Sequence, residues 1–379
     1  MNFSKIPSPC FVLEEKKLHN NLKILAQIRA KTGVQIILAL KGFAFWAAFP
    51  MVKKYLNGAT ASSLSEAKLC SEELKCLAHT YAVAYTPTDF AEIMKLSSHI
   101  SFNSLSEFEK YYPSVLGFEK RKISCGLRMN PSFSVIENPK NDPCQSGSRL
   151  GIDLEKIKNG LPIGIEGIHV HCLSESSAAT TAQLLAVLEQ KLKPFLPQLK
   201  WLNIGGGHHL TEANYDQKRL IKTLKIFKKK YPNLQIILEL GTAVSWNTGV
   251  LKTTVLDIIE KENTRTLIIN ASISSHITNL LSTFYPIEIR KAEQSSHGNH
   301  VYKISGNSTL ETDQLGKYSF KKAVKIGDDI IFENMMSYTM VKTNFFNGLT
   351  HPSIGIWREN ETFNLIKKFS YSDFKKRLS

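Results

Sequence analysis

Four stretches of the chain carry residues able to do chemistry, and each ends an apolar run. The first is Gln35-Ile-Ile-Leu-Ala-Leu-Lys41-Gly-Phe-Ala44. An unbroken apolar run of this kind reads as a strand buried on both faces, and Lys41 then falls at its C-terminal end, where α/β barrels keep their chemistry. Desolvation there lowers an amine's pKa and frees it to form an imine, whereas a lysine that merely snorkels outward does nothing. The second is Gly167-Ile-His-Val-His171-Cys172. His169 and His171 are two apart on a strand and share a face, which suits hydrogen-bonded core residues, a catalytic imidazole or the start of a metal site. No third metal ligand is evident, so no metal is expected. The third, Asn203-Ile-Gly-Gly-Gly207-His208, leaves backbone N–H groups uncovered for a phosphate, although glycine runs also make plain turns. The fourth, Leu238-Glu239-Leu240-Gly241, puts a carboxylate where burial demands a partner, either an ordinary basic side chain or a protonated aromatic nitrogen.

The elements that must position them alternate. Strand-like runs at 35–40, 58–63, 80–85, 100–104, 123–129, 164–173, 200–205 and 235–240 are separated mostly by helix-patterned stretches at 43–56, 65–77, 88–97, 105–113, 176–194 and 215–230. A further helix is expected from about Glu14 to Lys31, with Leu18, Leu22, Ile24 and Leu25 on one side. Eight strands alternating with helices predict an α/β fold, a closed (β/α)8 TIM-type barrel over 12–243. The insertion at 130–163, with Asn-Asp-Pro and Gly-Ser-Arg, suits a loop on its functional rim. After Val244, strand-like runs at 250–258, 265–272, 301–305, 328–333, 338–343 and 353–357 have no long helix between them. They predict a second, mostly antiparallel β domain formed by 1–11 plus 244–379.

With each group at a strand's C-terminal end, the combination fits pyridoxal 5′-phosphate. That cofactor needs an imine lysine, a ring to stack on, a phosphate cradle and a carboxylate for its pyridine nitrogen. Composition agrees with a globular enzyme: 379 residues, 42% apolar and 21% charged. There is no apolar leader and no run of 18 apolar residues, so a cytoplasmic protein without a membrane span is expected. The six cysteines make no C-x-x-C pair and support neither zinc nor a disulfide framework. The net charge of +15 is dispersed through helices such as 222–230 without aromatic interleaving, which argues against nucleic acid and works against a polycationic substrate.

Over essentially its whole length the sequence resembles the fold-type III pyridoxal-phosphate decarboxylases, and among them the carboxynorspermidine (carboxyspermidine) decarboxylases. The likeness rests on Ser8-Pro-Cys-Phe, Ala39-Leu-Lys-Gly-Phe, Ala59-Thr-Ala-Ser-Ser-Leu, Gly147-Ser-Arg-Leu-Gly-Ile, Ile204-Gly-Gly-Gly, Tyr338-Thr-Met-Val-Lys-Thr and Phe346-Asn-Gly. It implies that Lys41 carries the cofactor imine, His171 stacks on the ring and Glu239 keeps the ring nitrogen protonated. It also implies that Gly205, Gly206, Gly207 and Tyr338 hold the phosphate, that Arg149 lies near the phenolic oxygen or the loop that closes on it, and that the enzyme is a homodimer with shared sites acting on a carboxylated polyamine. Three positions depart from the family pattern. Thr309 stands for the cysteine expected to return a proton after CO2 leaves. Thr242 and Asn279 stand for carboxylates expected to bind substrate ammonium groups alongside Glu239, with Asp313 a neighbour able to supply the missing charge. The intact cofactor set favours an active decarboxylase, of carboxynorspermidine type or for a related amino acid with a less cationic tail, whereas these three departures argue against it. The alternative is a paralogue with changed substrate or lost turnover that acts as a cofactor-binding regulatory protein.

Overall fold

The computed structural model describes residues 1–136, 141–281 and 287–379. Residues 137–140, inside the insertion at 130–163, therefore lie outside the description. The chain divides into two compact units, Asn21–Val244 (the barrel unit) and Met1–Asn20 with Ser245–Ser379 (the sheet unit). It opens with β1 (Cys10–Glu14) and the helix α1 (Glu15–Thr32). Leu18, Leu22, Leu25 and Ile28 of α1 are buried at the spacing of one helix face, while Ile24 is only half-buried.

The barrel strands are β2 (Gln35–Ala39), β3 (Ala59–Ala61), β4 (Ala78–Tyr81), β5 (Ser97–Phe102) and β6 (Ser124–Asn130). After the two-residue β7 (Ile152–Asp153), which pairs with β6, come β8 (Ile165–His169), β9 (Trp201–Asn203) and β10 (Gln235–Leu240). β2, β3, β4, β5, β6, β8, β9 and β10 pair in that order, all parallel, and β10 returns to β2, so eight strands close. Closure explains the apolar runs: every residue of β2 and β10 after the opening glutamine is buried, with helices outside and side chains packed inside. The indole of Trp201 lies across two neighbouring strands, because Gly126 and Gly167 have no side chains. A Cβ on Gly167 would come within 2.0 Å of the ring, and one on Gly126 within 2.2 Å. Its Nε1–H donates to Ser124 Oγ at 2.8 Å, so a buried polar group is satisfied as well.

The connecting helices are α2 (Phe49–Val52), α3 (Leu64–Leu69), α4 (Pro87–Leu96), α5 (Leu105–Leu116), α6 (Ala178–Leu192) and α7 (Gln217–Lys230). The long helix expected over 43–56 is a correction. Only a 3-10 turn at Trp46–Ala48 and the one-turn α2 form, because Pro50 lacks an N–H and clashes with a helical turn before it. The helix expected over 65–77 ends early too: α3 passes into a π turn at Cys70–Leu74, stopped by Lys75 at φ 55°.

α8 (Thr242–Ser245) leads to the sheet unit, whose elements are β11 (Gly249–Lys261), β12 (Thr264–Ile269), α9 (Ile273–His276), β13 (Ala292–Gln294), β14 (Val301–Ser305) and β15 (Gln314–Phe320). They continue with β16 (Asp329–Phe332), α10 (Tyr338–Val341), β17 (Ser353–Trp357), β18 (Phe363–Lys367) and α11 (Tyr371–Leu378). The sheet runs β13-β15-β14-β12-β11-β1-β17-β18, with β16 also on β11. Among the described residues only β1–β17 and β12–β14 are parallel, so the unit is mostly antiparallel. The expected strand at 338–343 is instead the helical turn α10, closed by Lys342 N–H donating to Tyr338 O at 2.9 Å. Short β-branched runs do not distinguish a strand from a single turn.

Candidate active site

A tight turn follows β2, with Gly42 N–H and Phe43 N–H both donating to Ala39 O, and it sets Lys41 at the strand's end. The neighbouring β10 is followed by Gly241, where an added Cβ would stand 3.0 Å from Gly42 Cα. Glycine on both sides lets the two strand ends close together. Lys41 keeps solvent access, yet protein crowds its amine. Burial pushes the Lys41 pKa down and the Arg128 charge adds to this, with Glu239 and Glu66 opposing.

His171 spans the gap between lysine and glycines. Gly206 N–H donates to its Nδ1 at 3.1 Å, and its Nε2 lies 3.3 Å from Lys41 Nζ. Because Nδ1 must accept, the neutral ring carries its proton on Nε2, and that N–H can donate only to an uncharged amine. The charge Lys41 carries when protonated, then burial, then Arg128 hold His171 well below the ordinary imidazole range, so its ring is neutral. The glycines serve this contact. An added Cβ would lie 2.4 Å from His171 Nδ1 at Gly205, 2.2 Å from Glu239 O at Gly206 and 2.1 Å from Leu173 O at Gly207.

Glu239 is 6% exposed. Asn203 Nδ2 donates to its Oε1 at 2.7 Å, while Gly205 N–H donates to Asn203 Oδ1 at 2.9 Å and so fixes which way the amide faces. The second oxygen, Oε2, stands 3.7 Å from His169 Nε2, beyond hydrogen-bond range. His169 is itself held neutral, its pKa lowered to about 4 chiefly by burial. The neutral His169 therefore gives this buried carboxylate no charge partner, while the Lys41 amine is a basic group whose field it shares.

Beneath them, Arg128 on β6 is buried, lies 4.7 Å over the Tyr81 ring and reaches His171 O at 3.3 Å. Tyr81 O–H donates to Asn103 Oδ1, which also accepts from Gly151 N–H, while Asn103 Nδ2 donates to Arg149 O. Asn103 thus clamps the 149–151 segment, leaving the Arg149 side chain exposed. Asn203, Arg128, Tyr81 and Asn103 escape a reading by sequence. Asn203 alone had a signal, as the first residue of the glycine motif.

Within the sheet unit, Tyr338 opens α10, and Lys342 lies 5.3 Å over its ring while donating to Asn279 Oδ1 at 2.9 Å. Thr309 donates through both its backbone N–H and its hydroxyl to Asn347 Oδ1, each at 3.2 Å. Asp313 is 1% exposed and its carboxylate accepts from Ser272 Oγ and from the backbone N–H groups of Ser274 and Ser308. That is the work of a brace, not of a group open to substrate. In the barrel unit Thr242 starts α8, half-buried.

The structure supplies a third donor that the sequence reading did not find: His169, His171 and Glu239 offer ligand atoms all within 4.8 Å of one another. Yet His171 already bonds Gly206 and Lys41, and an amine 3.3 Å away competes with any cation. The set suits an organic cofactor better. A lysine whose charge burial disfavours, a ring edge-fixed by a backbone N–H, a side-chain-free glycine run and a buried carboxylate match, in turn, the aldehyde, ring, phosphate and protonated nitrogen of pyridoxal phosphate.

Comparison with known proteins agrees. Residues 11–336 match the family model for pyridoxal-dependent decarboxylases, described as their C-terminal sheet domain. A carboxyaminopropylagmatine decarboxylase of Synechocystis sp. is 41% identical over 99% of this chain and 96% of its own. A carboxynorspermidine/carboxyspermidine decarboxylase of Campylobacter jejuni is 38% identical over the full length of both. The crystal structure of carboxynorspermidine decarboxylase from Campylobacter jejuni, complexed with norspermidine, superposes with a TM-score of 0.90 at 37% identity, covering 98% of this chain and 100% of that one. Among the described residues, no helix is long and apolar enough to cross a membrane. The chain belongs to the pyridoxal-dependent decarboxylases, carbon–carbon lyases that use pyridoxal phosphate, in the branch that holds the carboxynorspermidine/carboxyspermidine decarboxylases.

Proposed function

We propose that the protein decarboxylates carboxynorspermidine or carboxyspermidine in polyamine biosynthesis, as a cytoplasmic homodimer. The observation that carries the site assignment is His171 held between Gly206 N–H and the Lys41 amine. When bound, pyridoxal phosphate supplies an electron sink for the pair left behind by departing CO2. Lys41 holds the cofactor covalently and Glu239 keeps its ring nitrogen protonated. The side-chain-free run Gly205, Gly206 and Gly207 would make room for its phosphate, and Tyr338 is carried over from the family likeness as a further phosphate ligand. His171, fixed by Gly206, would support the cofactor ring, and Arg149 would lie near its phenolic oxygen or in the loop that closes on it. Thr309 is an unactivated alcohol engaged with Asn347, so the proton returned after CO2 leaves would come from Lys41. Full-length likeness to enzymes named as decarboxylases favours turnover over a regulatory cofactor binder.

A second substrate reading has its own support. The Synechocystis relative is named for carboxyaminopropylagmatine, whose agmatine end carries a guanidinium. Thr242 and Asn279 offer neutral oxygens where the resemblance expects carboxylates, and a weakly hydrated guanidinium tolerates such partners better than an ammonium. The test is CO2 release by the reconstituted protein from carboxynorspermidine, carboxyspermidine and carboxyaminopropylagmatine, beside lysine, ornithine and diaminopimelate, with Thr309→Cys in parallel. Release from one of the first two supports the proposal, and preference for the third supports the second reading. Cofactor binding without release, restored by Thr309→Cys, overturns both.

A further inference from the structure

His169 ends β8 beside the site, and none of the steps assigned to the other strand-end groups uses it. The strand register delivers it to Glu239: His169 lies beside Asn203 of β9, and Asn203 beside Ile237 of β10, two residues before the glutamate. His169 is 2% exposed, and the Tyr81 ring meets its ring edge-on, with centroids 5.2 Å apart at 89°. Its Nε2 is buried and makes no hydrogen bond among the described residues, and Glu239 Oε2 stands 3.7 Å away. A buried imidazole nitrogen without a partner is a cost that a leucine of similar size would avoid, so its presence asks for a use.

The two oxygens of Glu239 are treated differently. Asn203 Nδ2 donates to Oε1 at 2.7 Å, a full hydrogen bond, whereas His169 stops short of Oε2. A carboxylate oxygen only accepts, so it repels a lone pair on Nε2 and attracts an N–H, and the ring's proton belongs on Nε2. Burial keeps that ring neutral. A neutral donor orients a carboxylate without cancelling its charge, whereas a cation in the same place forms an ion pair and removes it.

We propose that His169 is a positioning residue for the cofactor: its Nε2–H limits rotation of the Glu239 carboxylate about the Asn203 bond, and its neutrality leaves the charge of Oε2 to the ring nitrogen of pyridoxal phosphate. Asn203 alone lets the carboxylate turn about one bond, and a second donor beside the other oxygen sets the plane. Because 3.7 Å is longer than a hydrogen bond, Oε2 stays available to an incoming N–H. Amide and imidazole together do what an arginine, always charged, could not.

The inference rests on the assignment of Glu239 to the ring nitrogen, and the experiment separates the two. Full-length protein is loaded with pyridoxal phosphate isotopically labelled at its ring nitrogen. The NMR shift of that nitrogen reads its protonation, and an absorbance titration reads affinity. His169→Gln, neutral and able to donate, should keep the protonated signal and bind within about threefold of wild type. His169→Leu should bind roughly tenfold more weakly and move the signal toward its unprotonated value. A purely structural role predicts otherwise: both variants lower the melting temperature of the cofactor-free protein and neither moves the signal. Should His169→Leu fail to fold, wild-type protein labelled in its histidines still decides, since the cofactor-free chain must show the Nε2–H tautomer at His169. An Nδ1–H tautomer, an unmoved signal in His169→Leu, or a His169→Gln signal displaced as far as that of His169→Leu overturns the proposal. Glu239→Gln is the control. If it too leaves signal and affinity unchanged, the assignment of Glu239 fails, whereas a changed Glu239→Gln beside an unchanged His169→Leu removes His169 alone.

Discussion

Replacing Asn203 with alanine isolates what holds Glu239 in place. Asn203 makes two buried hydrogen bonds, accepting from Gly205 N–H at 2.9 Å and donating to Glu239 Oε1 at 2.7 Å. A bond to a charged group contributes roughly 1.5–3 kcal/mol, and a buried N–H left without a partner costs about 1–3 kcal/mol. Relaxation recovers part of this, so a net loss of about 2–4 kcal/mol is expected. For a unit the size of the barrel that lowers the melting temperature by roughly 5–10 °C. The same change leaves the Glu239 carboxylate unaimed, and if aiming is worth even ~1.4 kcal/mol, cofactor affinity falls about tenfold. Thermal melts of the cofactor-free protein and an absorbance titration with pyridoxal phosphate read the two effects. Asn203→Asp sharpens the test: it keeps the shape but cannot donate and adds a like charge, so it should bind cofactor no better than Asn203→Ala. Melting within about 1 °C of wild type, with unchanged cofactor affinity, would show that the Asn203–Glu239 bond does not support the site.

Gly206→Ala places a methyl 2.2 Å from Glu239 O, which is backbone and cannot swing away. It should distort the Gly206–His171 contact and weaken cofactor binding at least tenfold in the same titration, whereas wild-type affinity would refute the packing argument. Because burial and Arg128 lower the Lys41 pKa, its amine is uncharged at a lower pH than an ordinary lysine. The rate of imine formation with pyridoxal phosphate should therefore reach half its plateau below pH 10.5, and a midpoint at or above that value would contradict the crowding seen around it. Burial works to raise the Asp313 pKa, but bonds from Ser308, Ser274 and Ser272 outweigh it and hold the carboxyl below its ordinary 3.8. A lowered folded value means stability present above the unfolded pKa and lost as pH falls through the folded one. Asp313→Asn should thus lose stability at pH 7 and show a flatter acid limb in denaturant titrations run from pH 7 down, and an unchanged limb would remove Asp313 from the role of brace.

The barrel was legible because closure demands strands apolar on both faces, and residues 35–40 and 235–240 spell that out. Lys41, His171 and Glu239 were legible for the same reason: polar residues that end such runs have few uses. Asn203 was not, since its value depends on the register that sets β9 beside β10, a fact of three dimensions. β15 escaped because Gly316 and alternating small and charged residues blur its pattern. Asp313 read as spare charge because sequence does not reveal that three serines already surround it.

The indole laid across Gly126 and Gly167 gives the barrel a history as well as a shape. Three positions on adjacent strands are tied into one unit of inheritance: neither glycine can gain a side chain while Trp201 remains, and Trp201 cannot shrink without opening a void over both. Each single step is a loss, so lineages move among these states only by crossing a valley or by changing two residues together. A descendant carrying alanine at 167 should therefore carry a smaller residue at 201. The pair could be read from aligned sequences as a fingerprint of this packing, with no reference to the chemistry performed above it.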